Sequence, residues 1–398
     1  MTTWIIEPRD PLIVRDGRPF GPNPGARAHS LPFPFPSTIV GAVRSRHGQH
    51  HNGGIFPSGN QAVIQQVLGL HSRGPLLVSL DEQGEIADWL LPAPGDALLL
   101  PAKGDSQQVI RRQLVPLMLP VGAQAETDDD LIPVGIAPYL PDKPASKPPQ
   151  FWSWTNAYQQ WLIHPAEDVV KPEALGHDGP VRENRMHVNI EPGSQTAREG
   201  YLFLTSGLEF KRPHADHNNS LKPAHRLALA LETDAQMGTG FAPMGGERRL
   251  MYWRQSKSPL PQLPAGLADA IVHTGHCRLL LVTPGYFRNG SRPDWLMQAR
   301  HGVQPTLVAA VLRSSEVVSG WDFVMGSPKP SRRLAPAGTV FFLKLDGTPD
   351  TIRTWVEKMW LQAVSDDHDQ GSPDQNRLDG FGLAVLGSWT GQLKPMEV

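Results

Sequence analysis

Proline and glycine punctuate this chain so densely that no long helix can run through it: 40 prolines and 38 glycines stand among 398 residues. Proline removes a backbone donor and glycine weakens element interiors, so short elements joined by many turns are expected. The apolar runs between the turns are rich in β-branched and aromatic residues. Thr2 to Glu7, Leu76 to Leu80, Ile86 to Leu91, Tyr201 to Phe210, Leu227 to Leu231, Arg278 to Thr283, Leu307 to Arg313 and Val340 to Leu345 read as strands. Helical spacing is confined to a few segments. These are Thr38 to His47 behind an N-cap at Ser37, Gln61 to Leu70, Phe151 to Ile163 and a short helix near Trp295 to Arg300. A last helix opens on Thr348, Pro349 and Asp350 and carries Ile352, Trp355, Val356, Met359, Trp360 and Ala363 on one face. The expected fold class is α+β, with two β–α–β–β–α–β-like halves of ferredoxin-like (RRM-like) character.

The proline-rich segment Ser256 to Gly266 marks the boundary, giving an N-terminal domain over 1–262 and a C-terminal one over 263–398. Residues 92–149 carry prolines every few positions and an acidic run, Glu126 to Asp130. They read as an insertion of short strands and long loops. Trp154, Tyr158, Trp161 and Leu162 lie at helical spacing beyond it. Such a stripe suits base stacking, but its commoner use is packing a helix on a sheet.

A formal net charge of −2 supplies no bulk field for nucleic acid, so any polyanion site must come from local clustering. A single cysteine, Cys277, excludes a disulfide framework and a cysteine zinc site and fits a reducing compartment. The opening MTTWIIEPRD has no basic region followed by an apolar run, and no window approaches ~18 apolar residues. The expectation is a cytoplasmic protein with no membrane partner.

The arginines cluster in four places. Arg44 and Arg46 sit near the end of a helix, where cations also suit the dipole. Arg182, Arg185 and His187 precede a turn-rich Glu191-Pro-Gly-Ser-Gln-Thr segment in which Gly193 is free to take φ > 0, and Arg198 follows it. Arg248 and Arg249 follow a glycine pair, and Arg332 and Arg333 lie in a basic loop. One such cluster reads equally as a solvated face or a phosphate site. Four of them on a β-rich chain of near-zero net charge favour a localised polyanion groove. The glycine-rich Gly380-Phe-Gly382 turn does not fit a dinucleotide fingerprint, but its amides are candidates for phosphate. No phosphate-loop, zinc-protease or serine-hydrolase motif is present. His214, Asp216 and His217 have the residue types of a metal site, but they sit in a polar loop, and no metal or other cofactor is expected.

Several segments together resemble the third-subunit RAMP protein of the type III-B (Cmr) CRISPR effector complexes. They are Arg15-Asp-Gly-Arg-Pro-Phe20, Pro36-Ser-Thr-Ile-Val-Gly-Ala-Val-Arg44, Arg185-Met-His-Val-Asn-Ile190 and Thr196-Ala-Arg-Glu-Gly-Tyr-Leu-Phe203. Gly245-Gly-Glu-Arg-Arg249, Lys329-Pro-Ser-Arg-Arg333 with Pro336-Ala-Gly338, and Gly380-Phe-Gly-Leu-Ala-Val-Leu-Gly387 complete the set, in the family's order. The resemblance implies two ferredoxin-like RAMP domains with loop and hairpin insertions and a non-catalytic role. It implies binding to the repeat-derived 5′ tag of the CRISPR RNA and contacts to the large polymerase-like subunit and the first backbone subunit, in antiviral defence. The RNA-contacting candidates are Arg44, Arg46, Arg182, Arg185, His187, Arg198, Arg248, Arg249, Arg332, Arg333, Gly380 and Gly382. The alternative is a metal-independent RAMP endoribonuclease that processes the guide through His187 or His214.

Overall fold

The computed structural model describes residues 1–16, 30–57, 59–102, 104, 107–127, 131–140, 142–215, 221–322, 327–368 and 372–396. It is an α+β molecule with two main antiparallel sheets and few helices. The Arg15–Phe20 motif falls largely outside the described residues, as do Asp216, His217 and residues 128–130 of the acidic run.

The first sheet has nine strands. From one edge the order is Gly176–His177, Phe151–Ser153, β3 (Ile86–Pro92), β2 (Ser72–Leu80), Leu221–Thr233, β1 (Thr2–Pro8), Arg249–Ser256 and Gly240–Met244, with Lys211–Ala215 paired to the end of Leu221–Thr233. In β1 the run Trp4-Ile5-Ile6 does not alternate with polar residues because both of its faces are covered. Trp4 and Ile6 pack under α1 (Pro36–His50), while Ile5 faces the second sheet. The second sheet runs Gln304–Val311, Val340–Asp346, His276–Leu281, Ala384–Ser388. Four adjacent strands of the first sheet, β2, Leu221–Thr233, β1 and Arg249–Ser256, take the same places as the four strands of the second. If they are counted in chain order, the spatial order is second, third, first, fourth.

The amphipathic helix forms over Pro349–Met359 but stops short of Trp360 and Ala363, since Trp360 is extended and Ala363 makes an isolated bridge to Leu383. Thr348 caps it by accepting from the Thr351 N–H, and Ile352, Trp355, Val356 and Met359 are buried. Three further local expectations are corrected. Helix α1 begins at Pro36 rather than after a Ser37 cap, since proline's missing N–H is no loss at the first position. It also runs past Gly48 to His50, so Gly48 is no helix stop; its missing side chain instead makes room for the Phe56 ring, which would lie 2.6 Å from a Cβ there. Trp295 to Arg300 forms turns rather than a helix. The Asp366 carboxylate accepts the Arg288 and Trp295 N–H groups, and the Arg300 and Arg377 guanidiniums lie over the Trp295 ring at 3.9 and 4.8 Å.

The two sheets share one core. Ile5, Leu76, Val78 and Trp89 of the first lie in the same buried cluster as Leu279, Phe341 and Leu386 of the second. The 92–149 segment belongs to this core rather than decorating it. Its strands Ala97–Pro101 and Val109–Gln113 bury Leu99 and Val109, and Val115–Met118 pairs with Lys394–Pro395. The stripe of Trp154, Tyr158, Trp161 and Leu162 is buried here as well, so it packs rather than stacks on bases.

A fully buried ion pair sits at the centre of that seam. Arg278 Nη1 lies 2.5 Å from Asp96 Oδ2, and neither side chain is exposed. Arg278 also donates to the Trp161 carbonyl at 2.6 Å and the Ser388 carbonyl at 2.9 Å, and Asp96 accepts from Trp161 Nε1 at 3.1 Å. Gly387 is glycine because a Cβ there would meet the Arg278 guanidinium at 2.8 Å.

Removing one charge of a buried pair strands the other. Arg278→Leu is therefore expected to lower unfolding stability by about 3–5 kcal/mol, read as a fall in the urea midpoint. The double variant Arg278→Leu with Asp96→Leu recovers part of that stability. Equal destabilisation in the two variants would show that the pair is not what holds the seam.

The C-terminal end of α1 supplies a second testable interaction. His47 is buried, and its Nδ1 accepts the Gln236 N–H at 3.0 Å. Burial, and then the neighbouring His51, push its pKa below the ordinary 6.5. As pH falls through about 6.5 the unfolded chain takes up this proton before the folded one, so stability drops. The thermal midpoint is expected to fall between about pH 7.5 and 5.5, and His47→Asn, which keeps an acceptor but no proton site, to fall less. Superimposable pH profiles would contradict this.

Candidate nucleic-acid interface

The candidate cations separate into those the fold holds and those it leaves at the surface. Arg44 donates to the Val67 and Leu68 carbonyls at 2.9 and 3.0 Å, at the C-terminal end of α2 (Gln61–Leu68), and pairs with Asp379 at 2.6 Å. Arg46 donates to the Gly238 carbonyl and lies 5.2 Å from the Trp253 ring centroid, and burial lowers its pKa. Arg332 donates to Asn376 Oδ1 and lies over the Tyr286 and Phe381 rings at 5.2 and 5.8 Å. These three guanidiniums tie elements of the chain to one another.

The stretch from Arg182 to Phe210 forms a long antiparallel hairpin, Val181–Ile190 against Ala197–Glu209, in register from Val181↔Glu209 to Val188↔Leu202. The residue with φ > 0 in its turn is Gln195, not Gly193. Only the base is anchored. Leu208 and Phe210 are buried, whereas Val181–Ile190 is open to solvent on both faces. Arg182 donates to the Ser30 carbonyl at 3.0 Å, Arg185 is exposed and pairs with Glu183 at 2.7 Å, and His187 Nε2 lies 2.8 Å from Thr205 Oγ1. The Arg198 side chain lies outside the described residues, as does that of His214.

The Gly245–Arg249 turn lies beside the hairpin base. Gly245, Glu247 and Arg248 all take positive φ, at 74°, 55° and 50°. Glycine is required at 245 because a Cβ there would stand 2.6 Å from the Ile13 carbonyl oxygen. The Gly246 N–H donates to that same carbonyl at 2.7 Å. Arg249 pairs with Glu247 at 2.6 Å. Arg248 is exposed and has no hydrogen-bond or ionic partner among the described residues. Leu12, next to Ile13, pairs with Leu208 of the hairpin, and Gly207 lies against Pro11. The structure therefore clasps residues 11–13 between the hairpin base and the Gly245–Arg249 turn, with Arg182 opposite Leu208 at that base and Arg185 three residues along the same strand.

The glycine-rich turn is corrected. Gly380 and Gly382 do take positive φ, but the Gly380, Phe381 and Gly382 amides donate to the Arg377, Asn376 and Pro284 carbonyls. Those amides are satisfied within the chain, so the turn is not built as a phosphate cradle. It is a close approach between the two sheets, with a Cβ on Gly380 falling 2.6 Å from the Gly74 carbonyl oxygen. Arg333 stays exposed on the short Arg332–Leu334 strand.

A family model described as CRISPR-associated protein (Cas_Cmr3) matches residues 4–389. The chain belongs to that family. With it, the chain joins the type III CRISPR effector subunits of the Cmr module. No curated protein matches the sequence. Among solved structures, it is similar to a chain of the cryo-EM structure of the Type III-B Cmr-beta bound to cognate target RNA and AMPPnP, state 1. The identity is 15%, covering 90% of this chain and 88% of that one, with a TM-score of 0.44. A second cryo-EM structure, of the Type III-B Cmr-beta bound to cognate target RNA, gives 13% identity over 85% of this chain and 86% of that one, with a TM-score of 0.43. The crystal structure of the Csm3–Csm4 subcomplex in the type III-A CRISPR–Cas interference complex gives 9% identity over 98% and 99%, with a TM-score of 0.39.

In this family member, sequence reasoning missed the walls of a cleft between the sheets. They include Phe33, Phe151, Arg182, Arg313 and Glu316. Phe33 lies in a proline-rich stretch with no periodicity to read, and Glu316 in a three-residue strand too short to stand out. Among the described residues no group of three histidine, cysteine or acidic side chains is placed to hold a metal.

Gly380→Ala tests the corrected reading of the glycine turn. A Cβ at positive φ against a carbonyl oxygen is expected to lower stability by about 1–3 kcal/mol, seen as a lower thermal midpoint with or without RNA. A normal midpoint combined with weaker RNA binding would restore the phosphate-cradle role.

Proposed function

We propose that this chain is a non-catalytic, cytoplasmic subunit of a type III-B CRISPR effector complex that grips the repeat-derived 5′ tag of the guide RNA. It bridges the large polymerase-like subunit to the first backbone subunit. The observation that carries the reading is the convergence of the open hairpin and the Gly245–Arg249 turn on residues 11–13, with Arg182 and Arg185 on the hairpin and Arg248 on the turn. Exposed guanidiniums on strained turns and an open hairpin suit single-stranded RNA, which is held by phosphate contacts and splayed bases. Guanidinium meets phosphate in a bidentate fork and also stacks on bases. The strand order common to both sheets supports two ferredoxin-like halves.

Two kinds of cation then do different work. Arg44, Arg46 and Arg332 are engaged within the chain and hold helices and loops to one another. Arg185, Arg248 and Arg333 face solvent and are the RNA-contacting set, with Arg198 extending the hairpin's charge and Arg249 steadying the turn through Glu247. His187 contributes as a ring beside the backbone rather than as a base.

Arg185→Ala and Arg248→Ala remove exposed side chains and are expected to leave the thermal midpoint unchanged. Each should weaken binding of single-stranded, tag-bearing RNA by the full-length chain. The slope of log K against log salt should become shallower by about 0.7 for each phosphate that is no longer neutralised. Repeat-containing RNA incubated with the chain should stay intact. Unchanged slopes in both variants, or cleavage abolished by His187→Ala, would overturn the assignment.

A further inference from the structure

The cleft between the two sheets has a volume of about 920 Å³, a size typical of small-molecule sites. Its floor is apolar and includes Phe33, Phe35 and Phe151, with the Phe33 and Phe151 ring centroids 5.2 Å apart. Arg182 and Arg313 line it, as do Asp16 and Asp178, whose carboxylates are already engaged within the chain. Arg313 is exposed and has no ionic partner among the described residues.

One residue of this cleft has no reason to be there on grounds of folding. Glu316 opens the short Glu316–Val318 strand, and alternation turns it to the same side as Val318. Val318 is buried in a small core with Phe35, Leu334 and Phe381. Glu316 is thus turned inward, onto the cleft wall, and its carboxyl has no hydrogen-bond or ionic partner among the described residues. Burial alone raises its pKa. A half-buried carboxyl with no partner weakens the fold that carries it, so its partner is expected from outside the chain.

The other walls restrict what that partner is. Aromatic rings favour a flat ring, the two arginines favour an anionic attachment, and an unsatisfied acceptor favours an N–H donor on the ring edge. A nucleobase on a phosphodiester chain meets all three. We propose that this cleft receives one unpaired nucleobase of the bound RNA and that Glu316 accepts from the base's exocyclic amino group, which makes it a specificity-determining residue. The assignment rests on the RNA-binding reading above and goes beyond it in naming the pocket, the part of the nucleotide it takes and the group that reads it. Adenine and cytosine carry an amino group where uracil carries a carbonyl, so uracil would bring an acceptor against an acceptor.

The test uses the full-length chain and fluorescent oligo(A), oligo(C) and oligo(U) probes of about twelve nucleotides, followed by anisotropy. Oligo(A) or oligo(C) should bind about tenfold or more tightly than oligo(U), because mismatched buried polar groups are strongly discriminated against. Glu316→Ala should reduce that preference to near unity, by weakening oligo(A) and oligo(C) binding while oligo(U) binding holds or tightens, and should hold or raise the thermal midpoint. Glu316→Gln keeps the side-chain shape, adds a donor for the uracil carbonyl and should narrow the preference. It decides the matter should the alanine variant fail to fold. A preference that survives both substitutions, or a wild-type chain that binds all three probes alike, overturns the role of Glu316 while leaving RNA binding intact. A wild-type chain that binds none of the probes overturns both.

Discussion

The structure depends on one buried charge pair. Arg278 comes from an inner strand of the second sheet, and Asp96 from the start of the proline-rich insertion. Through the Trp161 and Ser388 carbonyls the same guanidinium reaches the aromatic helix and the last strand. A buried guanidinium is tolerable only when nearly all its donors are satisfied and a counter-charge is in contact. This site meets that condition from four separate parts of the chain. The pair therefore ties the second sheet to the insertion and to the aromatic helix at this point. The insertion supplies the acid and two core side chains, Leu99 and Val109, so it is structural cement as much as an addition.

The same division between holding and presenting runs through the arginines. A guanidinium that lies over an aromatic ring or reaches backbone carbonyls is pre-organised, and it is unavailable to phosphate. Arg44, Arg46 and Arg332 are of this kind. Near-zero net charge fits this arrangement, since acids such as Asp379, Glu183 and Glu247 neutralise cations locally and leave a few, Arg248 among them, facing water. The free cations are then placed by backbone geometry, and for Arg248 that geometry is a positive-φ turn pressed against the Ile13 carbonyl.

Much of the fold was legible in the residues, because strand alternation and apolar runs are local signals. The Thr348 cap and the face from Ile352 to Met359 formed as their spacing predicts, and the Arg182–Phe210 stretch is the hairpin its turn residues predict. What sequence could not show is which polar groups find partners across hundreds of positions. Asp96 and Arg278 are 182 residues apart, and Arg44 and Asp379 are 335 apart. No periodicity records such pairs. For the same reason Gly380 and Gly382 read as an anion-binding turn, although their amides are taken by nearby carbonyls and the absent side chains make room for the neighbouring sheet. The site was legible as residue types and illegible as a surface. Glu316 and Phe33 carry no motif and matter only because the fold sets them on one cavity wall.

The central claim is that a body tied at its seam presents one continuous RNA surface, from the open hairpin through the Gly245–Arg249 turn to the cleft wall at Arg313–Val318. Amide hydrogen exchange of the full-length chain, with and without single-stranded tag-bearing RNA, tests it most directly. The account predicts slower exchange on RNA binding in residues 182–206, 245–249 and 313–318, with the 276–281 and 384–388 strands equally protected in both states. Protection confined to the outer Gly240–Met244 edge or the Pro349–Met359 helix, with the hairpin and cleft unchanged, would contradict it.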